Sequence, residues 1–123
     1  MHHFPYEDGI TLPKLLLESL CVVMPIRKMS IDPQFVIAES LAVGIPVITT
    51  DQRSNPEFVL DGKTGFLTEL SDVEGTTNAL NTLLSDRVLS AKLGKQAKEH
   101  IDHNWNWDNY VAEILEVYKR VID

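Results

Sequence analysis

Residues 30–67, SIDPQFVIAESLAVGIPVITTDQRSNPEFVLDGKTGFL, constrain the fold more than any other part of this chain. Apolar residues at 35, 36, 37, 38, 41, 42 and 43 give Phe35 to Val43 the character of a buried helix. Gly44 follows where helices commonly stop. Pro46 is placed to open a strand, and Val47-Ile48-Thr49-Thr50 has the β-branched side chains that a buried strand prefers. Asp51 to Asn55 reads as a polar loop, with Asn55 as the cap and Pro56 in the first turn of a short helix. Asp61-Gly62 then makes a turn, and Gly65-Phe66-Leu67 begins another strand. Helix, strand, short helix and strand in this order predict a piece of an open parallel α/β sheet.

Glu39 does not match its apolar helix, where Ala38, Ser40, Leu41 and Ala42 surround it. Two readings stay open. Glu39 lies on the wet face of the helix, or it stands at the carboxyl edge of the sheet and accepts hydrogen bonds from a ligand's hydroxyl groups.

AESLAVGIPVITTD followed by NPEFVLDGKTGFL resembles the donor-binding domain of the group 1, or family 4, retaining glycosyltransferases. That family includes glycogen and sucrose synthases and many bacterial mannosyl- and glucosyltransferases. The shared features are Glu39, Ala42, Gly44, Pro46, the strand, Pro56-Glu57 and the run from Asp61 to Leu67. The resemblance implies a partial Rossmann-like parallel sheet, the C-terminal half of a two-domain GT-B-type enzyme, ending in three helices. It implies a nucleotide-sugar as substrate, with no other cofactor and no metal ligand. Glu39 would bind the ribose hydroxyls, and the loop from Asp32 through Phe35 and Val36 would face the diphosphate and sugar. The loop from Arg53 to Glu57 would border the cleft, and no side chain is assigned as a nucleophile.

The pattern departs from the family before the central helix. Two glutamates eight positions apart are expected, and counting back eight from Glu39 gives Ile31. Asp32, one step along, is the candidate replacement acid after a one-residue deletion. Asp32-Pro33-Gln34 also stand where the family has glycines, which let backbone N–H groups approach phosphate; Phe35 and Val36 still offer amides there. The family's earlier strands, with their basic grip on the diphosphate, and its acceptor-binding domain are expected to lie outside these residues. Arg27 and Lys28, the basic pair nearest the site, read as loop surface.

The flanks extend the pattern. His2 to Phe4 is a short candidate strand, Leu12 to Leu20 a helix with Pro13 in its first turn, and Leu20 to Met24 a strand ending at Pro25. In the family an aromatic residue ends a strand before such a helix, and Phe4 and Pro25 have about the expected separation. The resemblance implies that residues 1–67 are the nucleotide-sugar-binding part of a single partial domain and residues 68–123 its C-terminal helices. Ser71 is the candidate cap of a helix reaching about Leu84, with Val73, Leu80, Leu83 and Leu84 as its buried stripe. Leu89, Leu93, Ala97 and Ile101 mark a helix from about Arg87 to Asp102. A last helix from about Trp107 to Ile122 carries Val111, Ile114, Leu115, Tyr118 and Ile122 on one face. The family ends similarly, with a tryptophan opening a helix that contains a Val-Tyr pair and crosses to the other domain. Without that other domain Trp105 and Trp107 stand exposed or buried in a partner copy, or, the preferred reading, at least one of them packs in the core.

Composition and the remaining motifs exclude several classes. A net charge of -7 argues against nucleic acid as a partner, and the chain has no apolar run of membrane-spanning length. The single Cys21 permits no internal disulfide, which fits a reducing, cytoplasmic setting. Gly62-Lys63-Thr64 is not a P-loop, because Glu57 occupies the required first glycine and Phe66-Leu67 read as strand. His100 and His103 lie three apart without an evident third metal ligand, and no Ser-His-Asp or Cys-His set is assigned. A receiver domain suits the length and Asp51, but three successive helices contradict its alternation of strand and helix. Two function classes remain. One is the donor-binding part of a glycosyltransferase, expected to be inactive as an isolated chain. The other is a non-catalytic, degenerate binding or oligomerisation module, for which an apolar face left by a missing N-terminal domain implies a homodimer.

Overall fold

The computed structural model describes residues 12–28 and 30–122. The candidate strand at His2 to Phe4 lies outside them. The elements run α1 (Leu12–Leu17), β1 (Val22–Met24), α2 (Phe35–Ala42), β2 (Val47–Thr50), α3 (Asn55–Phe58), β3 (Gly65–Thr68), α4 (Val73–Ser85), α5 (Arg87–Asn104) and α6 (Trp107–Ile122). The three strands form a parallel sheet in the order β1-β2-β3. This is the α/β arrangement with trailing helices that the strand and helix patterns predict.

The sheet's period of two divides the core. Val47 pairs in register with Val22 and Gly65, and with Ile37, Leu41, Phe58, Val59, Ala97 and Ile101 it forms one apolar cluster. Ile48 points the other way, pairs with Phe66, and packs with Ala79, Leu83 and Leu93. Helices α2 and α3 therefore cover one face and α4 the other, while α5 contributes Ala97 and Ile101 to the first and Leu93 to the second. All four residues of β2 are buried, as its β-branched run predicts. Each fully buried Val, Leu or Ile side chain contributes about 1.5–3 kcal/mol through burial.

Two glycines allow the helices to close on this sheet. Gly44 ends α2 with φ +84 in the left-handed region, and Ile45 N–H donates to the Ser40 carbonyl at 2.9 Å. Gly94 in α5 faces it so closely that a Cβ on Gly94 would stand 2.0 Å from the Gly44 carbonyl oxygen.

Several local expectations are corrected. The first helix ends at Leu17 rather than Leu20, and the first strand begins at Val22. Asp72, not Ser71, caps α4: its carboxylate accepts from Gly75 N–H at 2.8 Å, while Ser71 turns the chain at φ +64. The expected stripe on α4 holds at Leu83, which is buried, and at Leu80, which packs against the same cluster, but Val73 and Leu84 are exposed and Ala79 is buried instead. Helix α6 has the predicted bounds, but none of its residues is buried. Trp107 is 78% exposed and Trp105, which stacks on Phe58, is 45% exposed, so neither is a core residue.

Gly94→Ala should lose about 1–3 kcal/mol of stability in chemical denaturation, because the methyl group forces two backbones apart. An unchanged midpoint would show that α2 and α5 separate freely. Arg53 occupies the left-handed region at φ 48, so Arg53→Gly should gain up to about 1 kcal/mol in the same assay. A loss there would mean that the side chain's contacts outweigh the backbone strain.

Candidate nucleotide-sugar edge of the sheet

The loops that leave the carboxyl ends of β1 and β2 are joined side by side. Thr49 Oγ1 donates to the Met24 carbonyl at 2.9 Å, and Thr50 Oγ1 donates to the Ile26 carbonyl at 2.8 Å. Gln52 Nε2 donates to the same Ile26 oxygen at 2.8 Å. Farther out, the Ser54 hydroxyl donates to Asp32 Oδ1 and spans the gap between the two loops. The strand-end hydroxyls are buried, so these bonds satisfy groups that would otherwise be costly to keep from water.

Asn55 anchors the same edge from below. It is fully buried, and its Nδ2 donates to the Thr50 carbonyl at 2.9 Å and to Thr49 Oγ1 at 3.2 Å. Its Oδ1 is buried without a hydrogen-bond partner. The expected capping role is therefore corrected. Asn55 is the first residue of α3 with its side chain turned inward, and Ser54 holds the N-cap position without a side-chain cap bond. The Ser54 hydroxyl is engaged with Asp32 instead.

Helix α2 starts at this edge. Gln34 is its N-cap residue and makes no side-chain cap bond; its Nε2 donates back to the Ile31 carbonyl. The first-turn amides at Phe35 and Val36 are thus left without a capping side chain, a polar arrangement suited to an outside acceptor. Ile37, Ser40 and Leu41 face the core. Phe35 and Glu39 are exposed, Val36 is half-buried, and the spacing of one helical turn puts all three along one side of α2.

Glu39 thus occupies the wet face of a helix that rises from the sheet's carboxyl edge. Asp32 is exposed and held by Ser54, and among the described residues no hydrogen bond or ion pair joins it to Glu39. Ile31, at the position of the family's first glutamate, is 63% exposed. Arg27, Lys28 and Arg53 are exposed around the same loops. Sequence reading passed over Thr49, Thr50, Gln52 and Ser54, whose bonds span 22 to 26 residues in the chain. The polar pair ending a buried strand was the available signal for the two threonines.

Elsewhere, among the described residues no group of three or more His, Cys, Asp or Glu side chains is placed to hold a metal, around His100 and His103 included. The His100 ring nitrogens lie 3.3 Å from the Glu57 carbonyl oxygen and 2.9 Å from Asn104 Nδ2. Phe66-Leu67 are strand, as the exclusion of a P-loop requires. Burial pushes the Cys21 thiol above its ordinary value. Among the described residues no helix is long and apolar enough to cross a membrane.

Comparison with known proteins agrees with this architecture. Residues 2–100 match the family model described as glycosyl transferases group 1. A GDP-mannose-dependent alpha-(1-6)-phosphatidylinositol monomannoside mannosyltransferase of Mycolicibacterium smegmatis is 35% identical over 82 residues, 67% of this chain and 22% of the relative. Spore coat protein SA of Bacillus subtilis is 29% identical over 83 residues, again 67% of this chain and 22% of the relative. The chain spans about a fifth of the length of these curated relatives. Among solved structures, TarM from S. aureus, in complex with UDP among other ligands, superposes with a TM-score of 0.77 at 22% identity, covering 86% of this chain and 21% of that one. Sucrose-phosphate synthase from Thermosynechococcus elongatus gives 0.69 at 25% identity, covering 81% and 25%. The parallel sheet with its trailing helices thus matches part of the GT-B glycosyltransferase fold, and the chain belongs to the glycosyl transferases group 1 family.

Proposed function

We propose that this chain is the donor-binding part of a retaining glycosyltransferase, which transfers a sugar from a nucleotide-sugar to an acceptor. The observation that carries the reading is the common location of Asp32, Phe35, Val36 and Glu39 on α2 and the loop before it, at the carboxyl edge of a parallel sheet. Ligands of open α/β folds bind at that edge. The family membership and the mannosyltransferase relative supply the substrate class.

In this reading each group has a physical task. The Glu39 carboxylate accepts hydrogen bonds from the two ribose hydroxyls. The uncapped amides of Phe35 and Val36 face the diphosphate, where the helix N-terminus favours negative charge. Asp32, steadied by Ser54, meets hydroxyls of the donor sugar. As the glycosidic bond to the diphosphate breaks, negative charge grows on the leaving oxygen, and a preorganised helix terminus stabilises it without reorganising. No side chain acts as a nucleophile. Acceptor binding needs groups beyond these residues, so the isolated chain should bind donor without turning it over. The same reading places the chain in the cytoplasm.

One observation favours a second reading, a binding or oligomerisation module that has lost the ligand. Ile31 presents an exposed apolar side chain where the family pattern calls for a carboxylate.

Calorimetric titration with UDP, GDP and their sugar conjugates separates the two. Saturable binding that weakens about tenfold to a hundredfold in Glu39→Ala is expected, in proportion to the loss of hydrogen bonds to a charged group. Absence of heat from a folded chain would favour the module. Ser54→Ala supplies a second check. It should weaken the nucleotide-sugar by about threefold to tenfold, as one hydrogen bond holding Asp32 is lost, and leave the bare nucleoside diphosphate unchanged. Equal weakening of both would remove Asp32 from the sugar subsite.

A further inference from the structure

The run from Asp61 to Leu67 is given no task by the nucleotide-sugar reading. It leads into β3 and forms most of it. Among the described residues β2 alone pairs with β3 as a strand, so the far side of β3 is the outer edge of the sheet. The Thr68 carbonyl accepts from Asp51 N–H, just past β2, at 2.8 Å. Backbone groups of a strand alternate in direction, so those of Phe66 and Thr68 point to β2 and those of Gly65 and Leu67 point outward.

The chain itself fills those outward groups. Gly62 N–H donates to the Gly65 carbonyl at 2.9 Å, and Leu67 N–H donates to Asp61 Oδ1 at 2.9 Å. Asp61 and Gly65 form an isolated parallel bridge, so the turn lies along the edge as one more rung. Gly62, in the left-handed region at φ +70, makes the reversal. Thr64 braces the turn from inside. It is buried, its N–H donates to the Leu60 carbonyl at 2.9 Å, and its Oγ1 accepts from Leu60 N–H at 2.8 Å. The Asp61 carboxylate thus stands where an incoming strand would place a carbonyl.

The two occupied groups are the ones a second copy would need. With β3 of two copies antiparallel about Phe66, Gly65 of each stands opposite Leu67 of the other, and each Leu67 N–H meets a Gly65 carbonyl. That register also sets Lys63 opposite Glu69 at both ends, and both are exposed, so opposite charges match across the pair. We propose that the Asp61-Gly62 turn is a closure of the sheet's outer edge. It occupies the Gly65 carbonyl and the Leu67 N–H, through which β3 otherwise pairs with β3 of another molecule of this chain. The closure is independent of the nucleotide-sugar reading, since none of its groups lies on α2 or the loop before it.

The test combines amide hydrogen exchange with solution mass against concentration, in the parent chain, Asp61→Ala and Asp61→Asn. In the parent, the outward Leu67 N–H should exchange within about tenfold of the inward N–H groups of Phe66 and Thr68. In dilute Asp61→Ala, Leu67 should exchange at least about tenfold faster while Phe66 keeps its rate, because a hydrogen bond to a charged group is removed. As concentration rises, that variant should approach the mass of a dimer, and slow exchange at Leu67 should return when the second copy supplies the acceptor. Asp61→Asn keeps a side-chain carbonyl in the same place and should stay with the parent in mass. Fast exchange at Leu67 in the parent would overturn the closure, without requiring any variant to fold. So would an Asp61→Ala chain whose Leu67 stays protected when dilute. A variant mass that equals the parent's at every concentration, or that rises while Leu67 still exchanges fast, would overturn the pairing with a second copy.

Discussion

The structure depends on a central strand that water does not reach. Val47 and Ile48 hold the two apolar clusters on opposite faces of the sheet, and Thr49 and Thr50 continue the same buried strand to its carboxyl end. Two buried hydroxyls are tolerable only when bonded, since an unsatisfied polar group in an apolar setting costs about 1–3 kcal/mol. Both donate across to carbonyls of the β1 exit, at Met24 and Ile26. Satisfying the strand therefore also fixes where the next loop begins. That loop carries Asp32 and leads into α2, so the packing requirement of the core sets the position of the candidate ligand edge.

The close approach of α2 and α5 serves the same end from the opposite direction. Gly44 turns the chain out of α2, and Gly94 lets α5 lie against that turn at backbone distance. With α2 held at its C-terminus by α5 and at its N-terminus by the loop network, the face bearing Phe35, Val36 and Glu39 has little freedom to swing. An arrangement of this kind orients a carboxylate and two amides before any ligand arrives, which lowers the ordering cost of binding.

What the sequence disclosed follows from how local each signal is. The β-branched run gave β2 its bounds, and the helical spacing gave α6 its bounds, because both patterns reside within a few turns of chain. Periodicity says that a helix has an apolar side and does not say what covers it, so α6 was legible as a helix and not as an exposed one. The caps failed for a related reason. Ser71 and Asp72 are adjacent capping residues, and only the left-handed turn at Ser71 decides between them. Asn55 carried a capping signal by residue type, yet its amide is turned into the core and the neighbouring Ser54 hydroxyl is engaged by Asp32, 22 residues earlier. Contacts of that separation have no periodicity to announce them. The candidate site was visible as separate residues, while the network that assembles them was not.

Asn55 shows how tightly this edge is arranged. Its amide nitrogen donates to both residues that end β2, and geometry then leaves the carbonyl oxygen buried with no donor in reach. Reversing the amide would offer the oxygen to the Thr50 carbonyl, placing two acceptors together, so the observed orientation is the better one. Thr49 Oγ1 cannot relieve the oxygen either, because its proton already goes to the Met24 carbonyl. The orphaned acceptor is thus the consequence of tying α3 to the sheet and β2 to the β1 exit with the same few groups. An apolar residue at 55 would remove the orphan and with it both bonds to β2. The Ser54 hydroxyl that steadies Asp32 would then hang on a helix no longer fastened beneath the site.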